Sequence, residues 1–320
     1  MTNWTASSCV SAANPEMAQA FFCAASELRP SPIRLPMRLY MRVGKVRRDE
    51  ALNCDCAPAA DASGDIAAAL KSAMNSWRAA GLNLETGRVD YERLASSRRI
   101  EAYRPLAAAL RDFDPGSLVS VAERAAFWIN IYNALLIHGV LAYRERRSLL
   151  KIRGAFERIA YVIGGYRYSL DDIEHGVLRG NRAHFLIPGP RFSREDPRRQ
   201  HALVQVDPRI HFALVCGASS CPPIGIYQAA NLDQQLDLAA RNFINQGGVE
   251  LNRDTGTVAL SRIFQWYSPD FGGRWMGLGS RASVLQYIAR FLAAEERDYV
   301  LAHAGSLRVS YQHYDWALNV

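Results

Sequence analysis

Apolar residues recur at helical spacing over residues 65–80, and the run stops at Gly81, which predicts a helix. Residues 91–113 read as one or two further helices, with Pro105 opening the second. Ser120 followed by Glu123 forms a capping box in front of a long apolar helix reaching about Tyr143. Two short strands, 158–163 and 166–168, meet at Gly164-Gly165, a two-residue hairpin signal. Ser169 caps a short helix over 170–178, and Asn181 to Gln205 is a polar loop rich in Pro and Arg. The nearly continuous apolar run 210–215 predicts a central strand. Asn231 then caps a helix, strands 249–252 and 257–260 form a second hairpin, residues 282–294 form a late helix, and 307–311 a last strand. Strands come as hairpins and regular βαβ alternation is missing. The expected class is therefore α+β: a long apolar central helix and other helices packed on a small, mainly antiparallel sheet.

The first 62 residues break this pattern. Pro30, Pro32 and Pro36 interrupt helical spacing, so an irregular N-terminal arm is expected, bounded by the turn at residues 61–64, with a single domain over 63–320. An edge strand is the alternative for part of the arm, because Leu35, Met37, Leu39, Met41 and Val43 alternate with polar positions.

Composition changes the picture in one respect. With 320 residues, 49% hydrophobic, the chain can bury a real core, which excludes a wholly disordered protein or a disulfide-stapled miniature fold. The net charge of +7 has an address. Arg29, Arg34, Arg38, Arg42, Lys45, Arg47 and Arg48 stand together in the arm, and the remaining 31 basic residues balance 31 acidic ones. No specific nucleic-acid surface on the body is expected. Six cysteines lack zinc-ribbon spacing, so no metal or cofactor is expected and a reduced setting is the default. No unbroken apolar run reaches the ~18 residues of a membrane span, and residues 17–25 make a poor signal peptide, so a cytoplasmic location is expected. Oligomeric state is left open.

Candidate chemistry lies on apolar segments. Asn130 and Asn133, three apart on the long helix, either pin neighbouring loops or line a site as amide donors. His138 borders the same face or is a core histidine. In Ser169-Leu-Asp171-Asp172-Ile-Glu174-His175, the aspartates suit a helix start, and Glu174 and His175 point about 100° apart, so one of them is expected in solvent. The most informative run is Asp207-Pro-Arg209-Ile-His211-Phe-Ala-Leu-Val-Cys216-Gly-Ala-Ser-Ser-Cys221-Pro-Pro. A buried strand entering a small-residue turn lets backbone amides stabilise a thiolate, which makes Cys221, and then Cys216, candidate nucleophiles. Cysteine is equally an ordinary core residue. A Cys216–Cys221 disulfide is allowed by spacing, and strand alternation turns His211 away from Cys216. The aromatic runs 264–271 and 311–316 read first as packing, with a ligand held by Arg, Trp and Tyr together as the alternative.

Five segments in order, Phe127-Trp-Ile-Asn-Ile-Tyr-Asn-Ala, Ser169-Leu-Asp-Asp-Ile-Glu-His, Asp207-Pro-Arg-Ile-His-Phe-Ala-Leu, Cys216-Gly-Ala-Ser-Ser-Cys-Pro-Pro and Tyr314-Asp-Trp-Ala-Leu-Asn, resemble the domain-of-unknown-function family 547. The resemblance implies a portable domain and assigns no activity. A remoter similarity to papain-like or transglutaminase-like thiol enzymes implies an interface of Cys, His and amide groups between a long helix and an antiparallel sheet. In such folds the nucleophile usually opens the central helix, where this chain has Asn130 and Asn133. Two functions follow as expectations. In the first, Cys221 attacks an acyl or amide carbon, His211 or His175 is the base, and Glu174, Asn130, Asn133, Cys216 and Arg209 support catalysis or binding of a small molecule or peptide. In the second, the domain binds or scaffolds without catalysis.

Overall fold

The computed structural model describes residues 23–24, 28–58, 65–83, 86–279 and 281–320. The boundary expected at residues 61–64, Cys9, and most of the apolar stretch 17–25 lie outside them.

The axis of the protein is α5 (Val121–Ala142). Ser120 Oγ accepts the Glu123 N–H at 3.0 Å and Glu123 Oε2 accepts the Ser120 N–H at 2.8 Å, the reciprocal box that the sequence predicts. Every residue from Ala125 to Val140 is buried. Among the described residues α5 is the one helix long and apolar enough to cross a membrane, and 89% of its most apolar window is buried inside the protein. Counting unbroken apolar residues misses it because Asn130, Asn133 and His138 interrupt the run without making the helix polar. Its burial marks it as a core helix.

Helices α2 (Ile66–Arg78) and α3 (Tyr91–Ser96) pack on α5, and α4 (Arg98–Ala109) packs on both of them. The break between α3 and α4 falls at Ser97, whose backbone is extended, so Pro105 lies inside α4 and does not open it. The arm also differs from expectation. Residues 35–44 form α1 (Leu35–Gly44) with Pro36 in its first turn, where a missing N–H costs nothing. Met37 and Met41 are buried while Leu35, Leu39 and Val43 face solvent, a helical division of the positions that looked like strand alternation. Residues 50–53 are buried too. The Leu52 N–H donates to Ala160 O at 2.8 Å, and the Asn53 side chain bonds Ala107 O, Val162 O and the Val162 N–H. Cys23 and Cys54 are joined by a disulfide.

After the short α6 (Ala155–Arg158), β1 (Ala160–Ile163) and β2 (Tyr166–Ser169) pair antiparallel. Gly164 and Gly165 take φ of 59° and 81°, the left-handed pair that a tight hairpin demands. A π-helix follows, Asp172–Leu178. The segment read as a central strand is instead a 3-10 helix, Pro208–Phe212, capped by Asp207, whose Oδ1 accepts the Arg209 N–H at 2.9 Å. Its apolar run is buried by packing between helices, without ladder bonds, and periodicity alone cannot separate those two states. α7 (Leu232–Phe243) packs on it. β3 (Val249–Asn252) and β4 (Thr257–Leu260) form the expected antiparallel hairpin. After α8 (Arg262–Trp266), the expected late helix is two, α9 (Arg281–Ala289) and α10 (Ala294–His303). They carry the chain over to β5 (Arg308–Tyr311), which pairs parallel with β4. The class is α+β, with the strands divided between sheets of two and three. One core surrounds α5 and the first hairpin; a second lies between α7, α9, α10 and the larger sheet.

Candidate functional site

A cavity of about 260 Å³ opens where the two cores meet. The π-helix supplies one wall. Its start is fixed by Ser169 and Asp172, each side chain accepting the other's backbone N–H at 3.1 Å. The wide turn sets Glu174 and His175 both in the cavity wall, and both are buried. The expectation that one would be solvated assumed α-helical spacing; a π turn, a feature frequent at functional sites, is wider.

His211 reaches the cavity from the 3-10 helix and stacks on Tyr267, ring centres 3.9 Å apart. Its Nε2–H donates to Asp270 Oδ2 at 2.8 Å, since an ionised carboxylate only accepts. That leaves Nδ1 as the nitrogen able to take up or release a proton, with Glu174 Oε1 3.9 Å away. Asp270 also receives Arg179 Nε at 2.6 Å and Arg182 Nη1 at 2.6 Å. Burial favours its neutral form, but His211 and Arg179 outweigh that and hold the carboxyl far below the usual carboxylate range. Tyr132 Oη donates to Glu174 Oε2 at 3.3 Å. Burial, with the Glu174 charge, pushes the Tyr132 and Tyr267 phenols well up, so both remain protonated donors.

Cys216 and Cys221 line the same cavity, joined by a disulfide. The Cys216 N–H points at Cys221 Sγ, 3.0 Å away, and Tyr314 Oη lies 3.1 Å from both sulfurs. Gly217 turns the loop at φ 73°, a left-handed conformation that favours glycine. The closing segment of the chain grips this loop: Ser219 N–H donates to Ala317 O at 2.7 Å, and Asn319 N–H to Gly217 O at 3.0 Å. The strand argument that turned His211 away from Cys216 fails with the strand itself, and both residues face one cavity.

The two asparagines do not line it. Asn130 accepts the Tyr227 N–H at 2.9 Å and donates to Tyr227 O at 2.8 Å. Asn133 accepts the Val215 N–H at 3.1 Å and donates to Ala213 O at 3.0 Å. Asn133 thus holds the segment that carries Leu214 into the cavity wall, and Asn130 holds the loop at Tyr227, against α5. Asn133→Ala leaves buried backbone groups at Ala213 and Val215 without partners. We expect urea denaturation to show a loss on the order of 2–4 kcal/mol; a loss below ~1 kcal/mol would remove this pinning role. His138 is a core histidine on Tyr161 Oη at 2.8 Å, and burial pushes it down to about 3. Arg209 lies away from the cavity in ion pairs of 2.7 Å with each of Asp207, Asp233 and Asp237.

Sequence reasoning passed over Asp270, Arg179, Tyr267 and Tyr314, and gave Asp171 and His184 no role in a site. Tyr314 stood within a motif but read as packing, and Asp270 sat among aromatics. Asp171, His175 and His184 could hold a metal by residue type, each offering one atom within 4.8 Å of the others. Their surroundings do not suit a cation. His175 Nδ1 accepts from Arg179 Nη1 at 2.7 Å, and His184 Nδ1 accepts the Leu186 N–H at 3.0 Å. Both rings therefore carry their proton on Nε2, whereas a ligating histidine donates its other nitrogen to an acceptor. Burial next to Glu157 pushes Asp171 well above the usual carboxylate range, which keeps it a neutral acid.

No curated protein and no solved structure matches the chain. The model of one family, described as a protein of unknown function, DUF547, matches residues 117–244. That span holds α5, the π-helix, His211 and both cavity cysteines, and stops short of Tyr267, Asp270 and Tyr314. Over residues 117–244 this chain is similar to the DUF547 family.

Proposed function

We propose that the cavity is the active site of a thiol enzyme acting on acyl or amide carbons, with Cys221 as nucleophile once the Cys216–Cys221 bond is reduced. The observation that carries this reading is convergence: Cys221 shares one small cavity with a histidine whose tautomer is fixed by Asp270. In the thiol form the Cys216 N–H and Tyr314 Oη are placed to stabilise a Cys221 thiolate. His211 Nδ1 takes the thiol proton and later returns it to the leaving group, and Glu174 stabilises the imidazolium in between. Asp270 is a positioning residue.

The test is ester and anilide turnover before and after treatment with a phosphine reductant. Activity is expected to appear on reduction and to be lost in Cys221→Ser. Cys216→Ser should be active without reductant, and His211→Asn should retain roughly 10⁻²–10⁻⁴ of the rate. A reduced Cys221 that alkylates no faster than a model thiol, with no turnover, overturns the reading. A non-catalytic binding domain is the second reading. It is favoured by the pairing of both cavity cysteines, since a disulfide sulfur is no nucleophile. The two disulfides among the described residues also fit an oxidising compartment better than the reduced cytosol that sparse cysteines suggest.

A further inference from the structure

The polar end of the cavity, around His175, His184 and Asp171, is not used by the chemistry above. Each imidazole has its Nδ1 occupied by an N–H donor, Arg179 for His175 and the Leu186 backbone for His184. Nε2 is then the nitrogen each ring has left to offer, and it carries the proton. Among the described residues neither Nε2–H has a hydrogen-bond acceptor; the nearest carboxyl oxygen to His175 Nε2 is Asp171 Oδ1 at 3.7 Å. Asp171 Oδ2 is buried and likewise lacks a hydrogen-bond partner. Both histidines line the cavity, so Nε2–H groups without a protein acceptor can donate to a ligand held there. Burial and the adjacent Arg179 and Arg191 charges hold both histidines neutral, His184 down to about 3. Phe156, Trp266 and Trp316 supply an apolar part of the same lining.

We propose that this end of the cavity is a carboxylate subsite, in which the Nε2–H groups of His175 and His184 and the Asp171 carboxyl clasp the head of a small monocarboxylate whose apolar body lies against Phe156, Trp266 and Trp316. One ring nitrogen of each histidine and one Asp171 oxygen lie within 4.8 Å of one another, close enough for a single small anionic group to meet all three residues. A divalent cation is the competing occupant, and the same tautomers oppose it: binding at Nε2 drives the proton to Nδ1, against the N–H of Arg179 and of Leu186. This subsite rests on the cavity being the functional site and specifies the ligand that it takes.

The probe is 3-phenylpropionate, with 3-phenylpropanamide and 3-phenylpropanol as controls, titrated calorimetrically at neutral pH. The carboxylate should bind at least ~10-fold more tightly than either control. His184→Phe, which keeps the ring stacked on Phe185, should remove that preference. Equal affinity for all three probes, or no binding of the carboxylate, overturns the proposal. So does one equivalent of cobalt(II) showing ligand-field bands that His184→Phe abolishes. Failure of the thiol reading is separate: Cys221→Ser should bind 3-phenylpropionate as the unaltered protein does, whether or not Cys221 is a nucleophile.

Discussion

Arg191→Ala is expected to destabilise the protein by about 3–5 kcal/mol, the cost of removing one partner from a buried ion pair. Arg191 bonds Glu157 through two nitrogens at 2.5 and 2.8 Å and Asp172 through Nε at 2.8 Å. All three side chains are almost wholly buried. Without the guanidinium, Glu157 and Asp172 face one another in low dielectric with Arg198 as the remaining close cation on Asp172. Arg191→Lys should recover part of the loss, because an ammonium replaces the charge but not the two-pronged bond to Glu157. The effect carries a pH signature. Burial disfavours the Asp172 charge, but Arg191 and Arg198 win and depress its pKa strongly. A carboxylate depressed in the folded state stabilises above its unfolded pKa of about 3.9, and that stabilisation is lost as pH falls towards the folded value. The gap between Arg191→Ala and the unaltered protein should therefore be full at pH 7 and narrow below about pH 4. A gap under ~1 kcal/mol at pH 7, read by urea denaturation, would show that the network contributes little.

Asp270→Asn is expected to have the second-largest effect and to act on both stability and chemistry. Arg179 and His211 are buried, and both direct hydrogen bonds at the Asp270 carboxylate. Loss of its charge strands the Arg179 guanidinium, costing about 3 kcal/mol or more. An amide at this position can also donate to Nε2, which permits the proton to move to Nδ1 and removes the base. Ester turnover by the reduced protein should fall by about 10²–10⁴, with a smaller change in KM than in kcat. Retention of full turnover alongside the stability loss would assign Asp270 a structural role alone and take His211 out of the chemistry. The same linkage applies here as at Asp172: the depressed Asp270 carboxyl stabilises above about pH 4 and ceases to as the solution is acidified.

Much of this was legible along the chain. The capping box at Ser120 and Glu123 and both hairpins stand where local signals put them, because caps and short glycine-containing turns are satisfied by neighbours a few positions away. Cys221, Glu174, His175 and His211 all reach the cavity from segments that stood out as polar groups in apolar surroundings. Asn130 and Asn133 stood out for the same reason and proved to hold loops. A buried amide must be satisfied, but spacing does not say whether its partner is a backbone or a ligand. Local rules misled at Pro36, where a helix breaker in the interior is a helix starter in the first turn. They misled again at residues 208–212, where continuous burial fits strand and 3-10 helix alike.

The sequence by itself determined the helical axis, the hairpins, the α+β class and the family motifs, all of which rest on interactions within about twenty residues. Tertiary structure alone decided what the polar residues do. Asp270 meets His211 across 59 positions, and Tyr314 meets Cys216 across 98. Arg191 meets Glu157 across 34. Charge and hydrogen-bond partners at such separations are chosen by which core faces which, and no periodicity along the chain encodes that choice. The basic arm shows the same division. Its charge was visible at once, but only the fold shows Arg34 donating to the carbonyls of Pro188 and Pro190 while Met37 and Met41 sink into the body.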